Sequence, residues 1–250
     1  MLNGKKVLLI ITGGIAAYKS LELVRKLKEK GADVIPVMTK AAENFVTPMS
    51  VSALAQEKVF NKLFDLTDEA EMGHIELSRS SDLIIVVPAS ADFIAKTATG
   101  QANDLASTLI LATDTKVLMA PAMNVRMWEN PLTQKNIKIL HNNGVKFVGP
   151  DEGEMACGEF GFGRMAEADE ILKEIEANFR DKKLKGLHFL VTSGPTIEPI
   201  DPVRFIGNRS SGLQGGAIAN ELVESGAEVT FITGPVNLDP PHGSKIIRVE

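Results

Sequence analysis

Val7 to Thr12 is an unbroken β-rich apolar run, followed at once by Gly13-Gly14 and then by a segment of helical periodicity. A run without polar alternation marks a strand buried on both faces. Leu21, Leu23, Val24 and Leu27 carry the helical stripe through Ile15 to Lys30, Gly31 caps the helix, and Val34 to Met38 reads as the next strand. Strand, helix and strand make a βαβ unit, which commits the chain to a parallel sheet with right-handed crossovers. Further strands are expected at Leu83 to Val87, Val117 to Met119 and Val145 to Val148, with helices at Asn103 to Ala112 and Leu132 to Asn142. This is the alternation of a doubly wound, Rossmann-like α/β sheet.

The plan then restarts. A charged helix at Glu167 to Phe179 runs into Arg180-Asp181-Lys182-Lys183-Leu184-Lys185-Gly186, which reads as a solvated linker. Leu187 to Thr192 is a new strand, Ser193-Gly194-Pro195 a turn, and Gly216 to Ser225 a helix. Gly226-Ala227-Glu228-Val229 echoes Gly31-Ala32-Asp33-Val34, and Lys245 to Val249 begins a further strand. The expected domains are residues 1–180 and 186–250, the second too short to close a doubly wound sheet and so incomplete.

Of the 250 residues 44% are hydrophobic and 24% charged, and the net charge is −5. That balance is ordinary for a soluble globular chain and argues against nucleic acid or an anionic membrane as partner. Lys5-Lys6 before Val7 to Ile11 has the look of a signal peptide, but the run ends at Thr12-Gly13-Gly14 without a cleavage pattern. No stretch is long enough to span a bilayer. The single cysteine, Cys157, excludes an internal disulfide and fits a reducing, cytoplasmic compartment.

Candidate chemistry gathers where the strands end. Thr12-Gly13-Gly14-Ile15-Ala16 frees backbone N–H groups for an anion at a helix start. The dinucleotide pattern G-x-G-x-x-G is missing, and the second strand ends at Met38-Thr39 without the acidic residue that holds a ribose. Both departures disfavour NAD, while Thr39 suits a phosphate and hence a mononucleotide. Pro88-Ala89-Ser90-Ala91-Asp92 offers small residues and one hydroxyl for a planar ring, or simply a helix N-cap at Ser90. After Val117-Leu118-Met119-Ala120 comes Pro121-Ala122-Met123-Asn124-Val125-Arg126-Met127-Trp128. Asn124 both donates and accepts, which suits a carboxylate or a flavin-like ring, and it equally suits a helix N-cap.

His74, in Gly73-His74-Ile75-Glu76-Leu77-Ser78-Arg79, is a candidate base, although a lone histidine is more often structural. Asp151 to Arg164, with Gly153, Gly158, Gly161 and Gly163 around Cys157, reads as a mobile loop. The thiol there is either a proton donor or a buried, inert side chain. No Cys/His cluster supports a metal, and neither a G-x-S-x-G elbow nor a Walker loop occurs.

Together, Thr12 to Lys19, Gly73 to Leu77, Pro88 to Asp92, Pro121-Ala122-Met123-Asn124-x-x-Met127-Trp128 and Ala156-Cys157-Gly158 resemble the flavin-containing cysteine decarboxylases, in their phosphopantothenoylcysteine branch. Thr192 to Ile206 and Asn208-Arg209-Ser210-Ser211-Gly212 are similar to the opening of a phosphopantothenate–cysteine ligase, cut short inside that domain. The resemblance implies an enzyme of coenzyme A synthesis that uses FMN to decarboxylate 4′-phosphopantothenoylcysteine to 4′-phosphopantetheine. Oxidising the thiol to a thioaldehyde places an electron sink beta to the carboxylate, and the protein orients and protonates.

By the same resemblance His74 assists oxidation, Asn124 holds the substrate carboxylate, with Met123 beside it, and Cys157 donates a proton in the reductive half. Arg79 is a further phosphate or carboxylate contact. Gly13, Gly14, Ile15, Ala16, Thr39, Pro88, Ala89, Ser90, Ala91, Met119 and Ala120 are the expected FMN residues. Asn208 would stand beside an acyl-cytidylate in a ligase domain that uses CTP and Mg2+. A homotrimer, grouped further into a dodecamer, is the implied assembly. A flavin prenyltransferase or a noncatalytic regulatory relative shares the fold but not the set His74, Asn124 and Cys157.

Overall fold

The apolar run near the start of the chain forms β1 (Lys6–Ile11), in which every side chain after Lys6 is buried. The computed structural model describes residues 2–63, 74–155, 158–180 and 182–249, with only the backbone of residues 74 and 75. Two compact units divide the chain, residues 1–176 and 177–250.

In the first unit β1 lies inside a five-stranded parallel sheet. A single 3-10 turn, Ile15–Ala17, leads from β1 into α1 (Tyr18–Glu29), and the chain returns as β2 (Asp33–Met38). It continues through α2 (Pro48–Ala55), α3 (His74–Arg79), β3 (Leu83–Ala89), α4 (Ala91–Ala98) and α5 (Leu105–Ala112). Then follow β4 (Val117–Pro121), α6 (Val125–Glu129), α7 (Pro131–Asn142) and the short β5 (Lys146–Phe147).

The strand order is β2-β1-β3-β4-β5. The winding reverses between β1 and β3, and right-handed crossovers then send α1 and the later helices to opposite faces. Such a reversal opens a crevice beyond the carboxyl ends of the two strands. All seven residues of β3 and all five of β4 are buried. Side chains from β1, β3 and β4 share one core with Phe93, Leu105, Leu109 and Leu140 of the helices.

Helix starts follow capping chemistry. Ser90 accepts from Phe93 N at 3.3 Å, and Asp104 and Ser107 form a reciprocal capping box. Asn130 caps α7 ahead of Pro131. Each cap contributes about 1 kcal/mol.

One expectation is corrected. The glycine-rich stretch from Asp151 to Arg164 contains an antiparallel hairpin, β6 (Asp151–Glu154) against β7 (Phe160–Arg164), where a mobile loop was expected. Gly163 sits against the Met123 carbonyl and Gly161 against the Val125 side chain, so these two serve close packing.

α8 (Ala168–Phe179) is tied to α1 by charge. Lys19, Lys26 and Lys30 reach Glu167, Asp169 and Glu176 at 2.9, 2.7 and 3.0 Å. The hydrogen bond from Lys19 holds the Glu167 carboxyl below its ordinary value; burial opposes this and Arg164 assists. The hydrogen bond and charge of Lys26 do the same to Asp169.

The second unit has a three-stranded parallel sheet, with β8 (His188–Ser193) and β12 (Lys245–Arg248) on either side of β11 (Glu228–Thr233). α9 (Leu213–Glu224) covers it through Ala219, which packs with Val229 and Phe231. Between β8 and α9 lies a hairpin of β9 (Ile197–Pro199) and β10 (Phe205–Gly207). Asp201 organises its turn, accepting from Val203 N at 2.9 Å and Arg204 N at 2.7 Å. Those backbone bonds, and then the Arg204 side chain, lower its carboxyl pKa.

A carboxyl whose pKa is lowered by folding stabilises the fold above its unfolded pKa and loses that contribution as pH falls through the folded value. The denaturation midpoint of the first unit is therefore expected to drop as pH falls from about 5 to about 3. Combining Glu167→Gln with Asp169→Asn should flatten that dependence. Urea melts followed by Trp128 fluorescence at several pH values check this, and parallel pH profiles for the two proteins would refute it.

Candidate functional site

The crevice between β1 and β3 depends on two buried hydroxyls. The ladder between these strands ends at Ile10 and Val86, so the next carbonyls of β3 need other partners. Ser20 of α1 donates to Val87 O at 2.7 Å, and Thr12 donates to Pro88 O at 2.7 Å. The same Thr12 oxygen accepts from Ser90 N at 3.0 Å. Thr12 is 1% exposed and Ser20 fully buried. The start of α4 is thus hung from the end of β1.

Beside it, Gly13 presses on the loop after β2. A Cβ at Gly13 would come within 2.6 Å of Ala41 Cβ. Gly14 adopts φ +149°, with open space where its side chain would stand. Thr39 uses its hydroxyl locally: it accepts from Ala42 N at 3.3 Å and faces Ile11 O at 3.4 Å.

The hairpin closes the other side. Met123 N donates to Gly163 O at 3.0 Å. A Cβ on Gly163 would lie 2.3 Å from Met123 O, and one on Gly161 would lie 2.8 Å from Val125 Cγ2. Both glycines have φ +147°. Only glycine satisfies that backbone and that proximity together. Pinned beneath them, Asn124 caps α6 by accepting from Arg126 N at 2.8 Å. Its Nδ2 donates to the Glu159 carboxylate at the base of β7.

These loops enclose an open cavity of about 1270 Å³, lined by Gly13 to Ala16, Thr39, Ser90, Ala91, Met123 and Asn124. Phe45 and Met127 add apolar wall, and Lys19, Lys40, Lys96 and Arg164 bring positive charge. Lys96 pairs with Asp92 at 3.2 Å and Asp104 at 3.6 Å. Burial works against its charge, but the two carboxylates outweigh it and raise its pKa.

The remaining expected residues lie elsewhere. Pro88, Ala89, Met119 and Ala120 are buried inside the strands whose ends form the crevice floor. Arg79 is exposed on α3 and does not line the cavity. The His74 side chain and Cys157 fall outside the described residues. Asn208 is exposed in the second unit, its Oδ1 accepting from Ser210 N at 2.9 Å. A separate cleft of about 250 Å³ in that unit lies among Ser193, Gly212, Asn220, Thr233 and Arg248. Sequence reasoning passed over Lys19, Phe45 and Glu159. For Glu159 there was a signal, the Gly161-x-Gly163 alternation that marks close backbone approach in a strand.

Residues 1–180 match the Flavoprotein family model. The chain belongs to this flavoprotein family. Residues 184–250 match the DNA/pantothenate metabolism flavoprotein C-terminal domain. The coenzyme A biosynthesis bifunctional protein CoaBC of Vibrio parahaemolyticus is 50% identical over 99% of this chain and 62% of its own length. That of Escherichia coli is 48% identical over 99% of this chain and 61% of its own. This chain therefore spans about three fifths of these relatives.

Among solved structures, a cysteine-to-serine PPC decarboxylase variant complexed with pantothenoylaminoethenethiol superposes with a TM-score of 0.63 at 30% identity. It covers 71% of this chain and 99% of its own. The FMN binding protein AtHal3 gives 0.60 at 31% identity, covering 70% and 96%. Among the described residues no helix is long and apolar enough to cross a membrane, and no three His, Cys, Asp or Glu side chains converge on a metal position.

Replacing Thr12 by valine keeps the shape but strands Pro88 O and Ser90 N in the interior. The expected cost is about 2 kcal/mol or more, with Thr12→Ser retaining most of the stability. Equal unfolding midpoints for the two variants would remove Thr12 as the tie between β1 and α4.

Proposed function

We propose that this flavoprotein uses FMN to decarboxylate 4′-phosphopantothenoylcysteine to 4′-phosphopantetheine, a carboxy-lyase step of coenzyme A biosynthesis in the cytoplasm. The observation that carries the reading is one cavity at the β1/β3 reversal that joins a helix-start glycine turn, a hydroxyl and an amide. Its shape suits FMN. Gly14 leaves open space before the 3-10 turn Ile15–Ala17 that leads into α1, and the backbone N–H groups there suit a phosphate. Thr39 is followed by Lys40, a cation where a dinucleotide site places an acid. Ser90 and Ala91 leave room for a flat ring against Met123 and Met127.

When bound, FMN supplies two-electron oxidation of the substrate thiol and later returns those electrons. The chain does the rest. Asn124 Nδ2 donates to the substrate carboxylate, while its Oδ1 remains engaged as the cap of α6. The apolar wall weakens hydration of that carboxylate, which favours its loss as neutral carbon dioxide while the electron pair of the broken carbon–carbon bond passes to the thioaldehyde sulfur. His74 assists removal of the thiol proton, and Cys157 delivers a proton after decarboxylation.

Ile15, Tyr18 and Met127 are exposed apolar side chains on the cavity wall, and Phe160 and Phe162 are exposed on the hairpin. They support a homotrimer in which neighbouring chains complete the site. Residues 186–250 correspond to the start of a ligase domain for which CTP and Mg2+ are the proposed co-substrate and metal, with Asn208 at its intermediate.

Mixed anaerobically with substrate, Cys157→Ser is expected to release carbon dioxide and stall with reduced flavin, because a hydroxyl is a far weaker acid than a thiol. His74→Asn should leave the flavin oxidised. Flavin absorbance and product mass report both. Complete turnover by the Cys157 variant would remove its role as proton donor. A colourless protein that stays colourless with added FMN would sink the whole reading.

A further inference from the structure

The Nδ2 group of Asn124 is not idle in this structure. It donates to the carboxylate of Glu159, although the proposed chemistry needs it for the carboxylate of the substrate. Both groups are half-buried, so the amide needs an acceptor whenever no substrate is present. Glu159 supplies one. Once a second carboxylate arrives on the same NH2 group, two negative charges stand only a few ångströms apart at a half-buried position. Their repulsion exceeds that between two fully exposed charges, because part of the screening water is excluded.

The hairpin backbone is held in place around this contact. Gly163 O receives Met123 N at 3.0 Å, and Met155 N donates to Glu159 O at 2.9 Å. The missing Cβ atoms of Gly161 and Gly163 let β7 rest directly on residues 123–125. The Glu159 backbone is therefore held independently of its side chain's contact with Asn124.

We propose that Glu159 is an internal competitor for the amide of Asn124, and hence the residue that sets how tightly this site holds a carboxylate. On this view the incoming carboxylate displaces Glu159, and the loss of carbon dioxide lets Glu159 take the donor back. The proposal rests on the reading that Asn124 receives the substrate carboxylate.

Two ligands with a capped sulfur test it, because a thioether cannot be oxidised as the thiol is. One is the S-methyl ether of 4′-phosphopantothenoylcysteine; the other is S-methyl 4′-phosphopantetheine, which lacks the carboxylate. Each is titrated calorimetrically into the FMN-loaded protein, and the ratio of the two affinities is read. Glu159→Gln and Glu159→Ala should both raise the preference for the carboxylated ligand by about fivefold or more, with little change for the other. Asn124→Ser, which keeps a capping oxygen but removes the amide, should abolish the preference in either background. If it does so while both Glu159 variants leave the ratio unchanged or lower it, the competition is refuted and the role of Asn124 stands. If Asn124→Ser leaves the preference intact, the reading of Asn124 fails and the proposal with it.

Discussion

Two hydroxyls hold open the crevice on which everything else is arranged. A parallel sheet that reverses its winding leaves the Val87 and Pro88 carbonyls of β3 without ladder partners on β1, just where the crevice opens. Thr12 and Ser20 satisfy those carbonyls from within the protein. The strand ends therefore need no water, and the floor of the cavity stays apolar. Thr12 also accepts from Ser90 N, so the spacing between the glycine turn and the start of α4 is set by one buried oxygen. That spacing decides whether a flat ring fits between them.

The second constraint is the contact between hairpin and amide. A polar residue at the end of a buried strand is expensive unless both of its ends are engaged. Asn124 meets that demand with an oxygen that caps α6 and a nitrogen that meets Glu159. Such closeness needs the missing side chains of Gly163, against the Met123 carbonyl, and of Gly161, against Val125. Gly161 and Gly163 thus serve close packing, a role that glycine density alone does not suggest.

Much of this was legible in the residues. Unbroken apolar runs located β1, β3 and β4 because strands covered on both faces cannot alternate. Ser90 and Asn124 could each be read as a cap or as a ligand group, and the structure shows both as caps that line the cavity. What stayed hidden depends on distant partners. Lys19 meets Glu167, 148 residues away, and no local pattern encodes that pairing. Met119 and Ala120 stand next to the right segment, yet a strand covered on both faces turns their side chains into the core. Recognising where a strand ends does not reveal which of its atoms face the cavity.

A helix cap and a ligand group impose different demands, and asparagine meets both where aspartate would not. As a cap, either residue offers an oxygen to the first turn. An aspartate at position 124 would then turn its second oxygen towards Glu159 and, beyond it, towards any carboxylate in the cavity. Like charges would meet where the amide now donates. The neutral amide therefore lets the start of α6 be capped without setting a fixed negative charge in the pocket. The amide instead meets the charge of Glu159 from the hairpin. Structural need and recognition converge on one residue, because its two ends carry opposite hydrogen-bonding character.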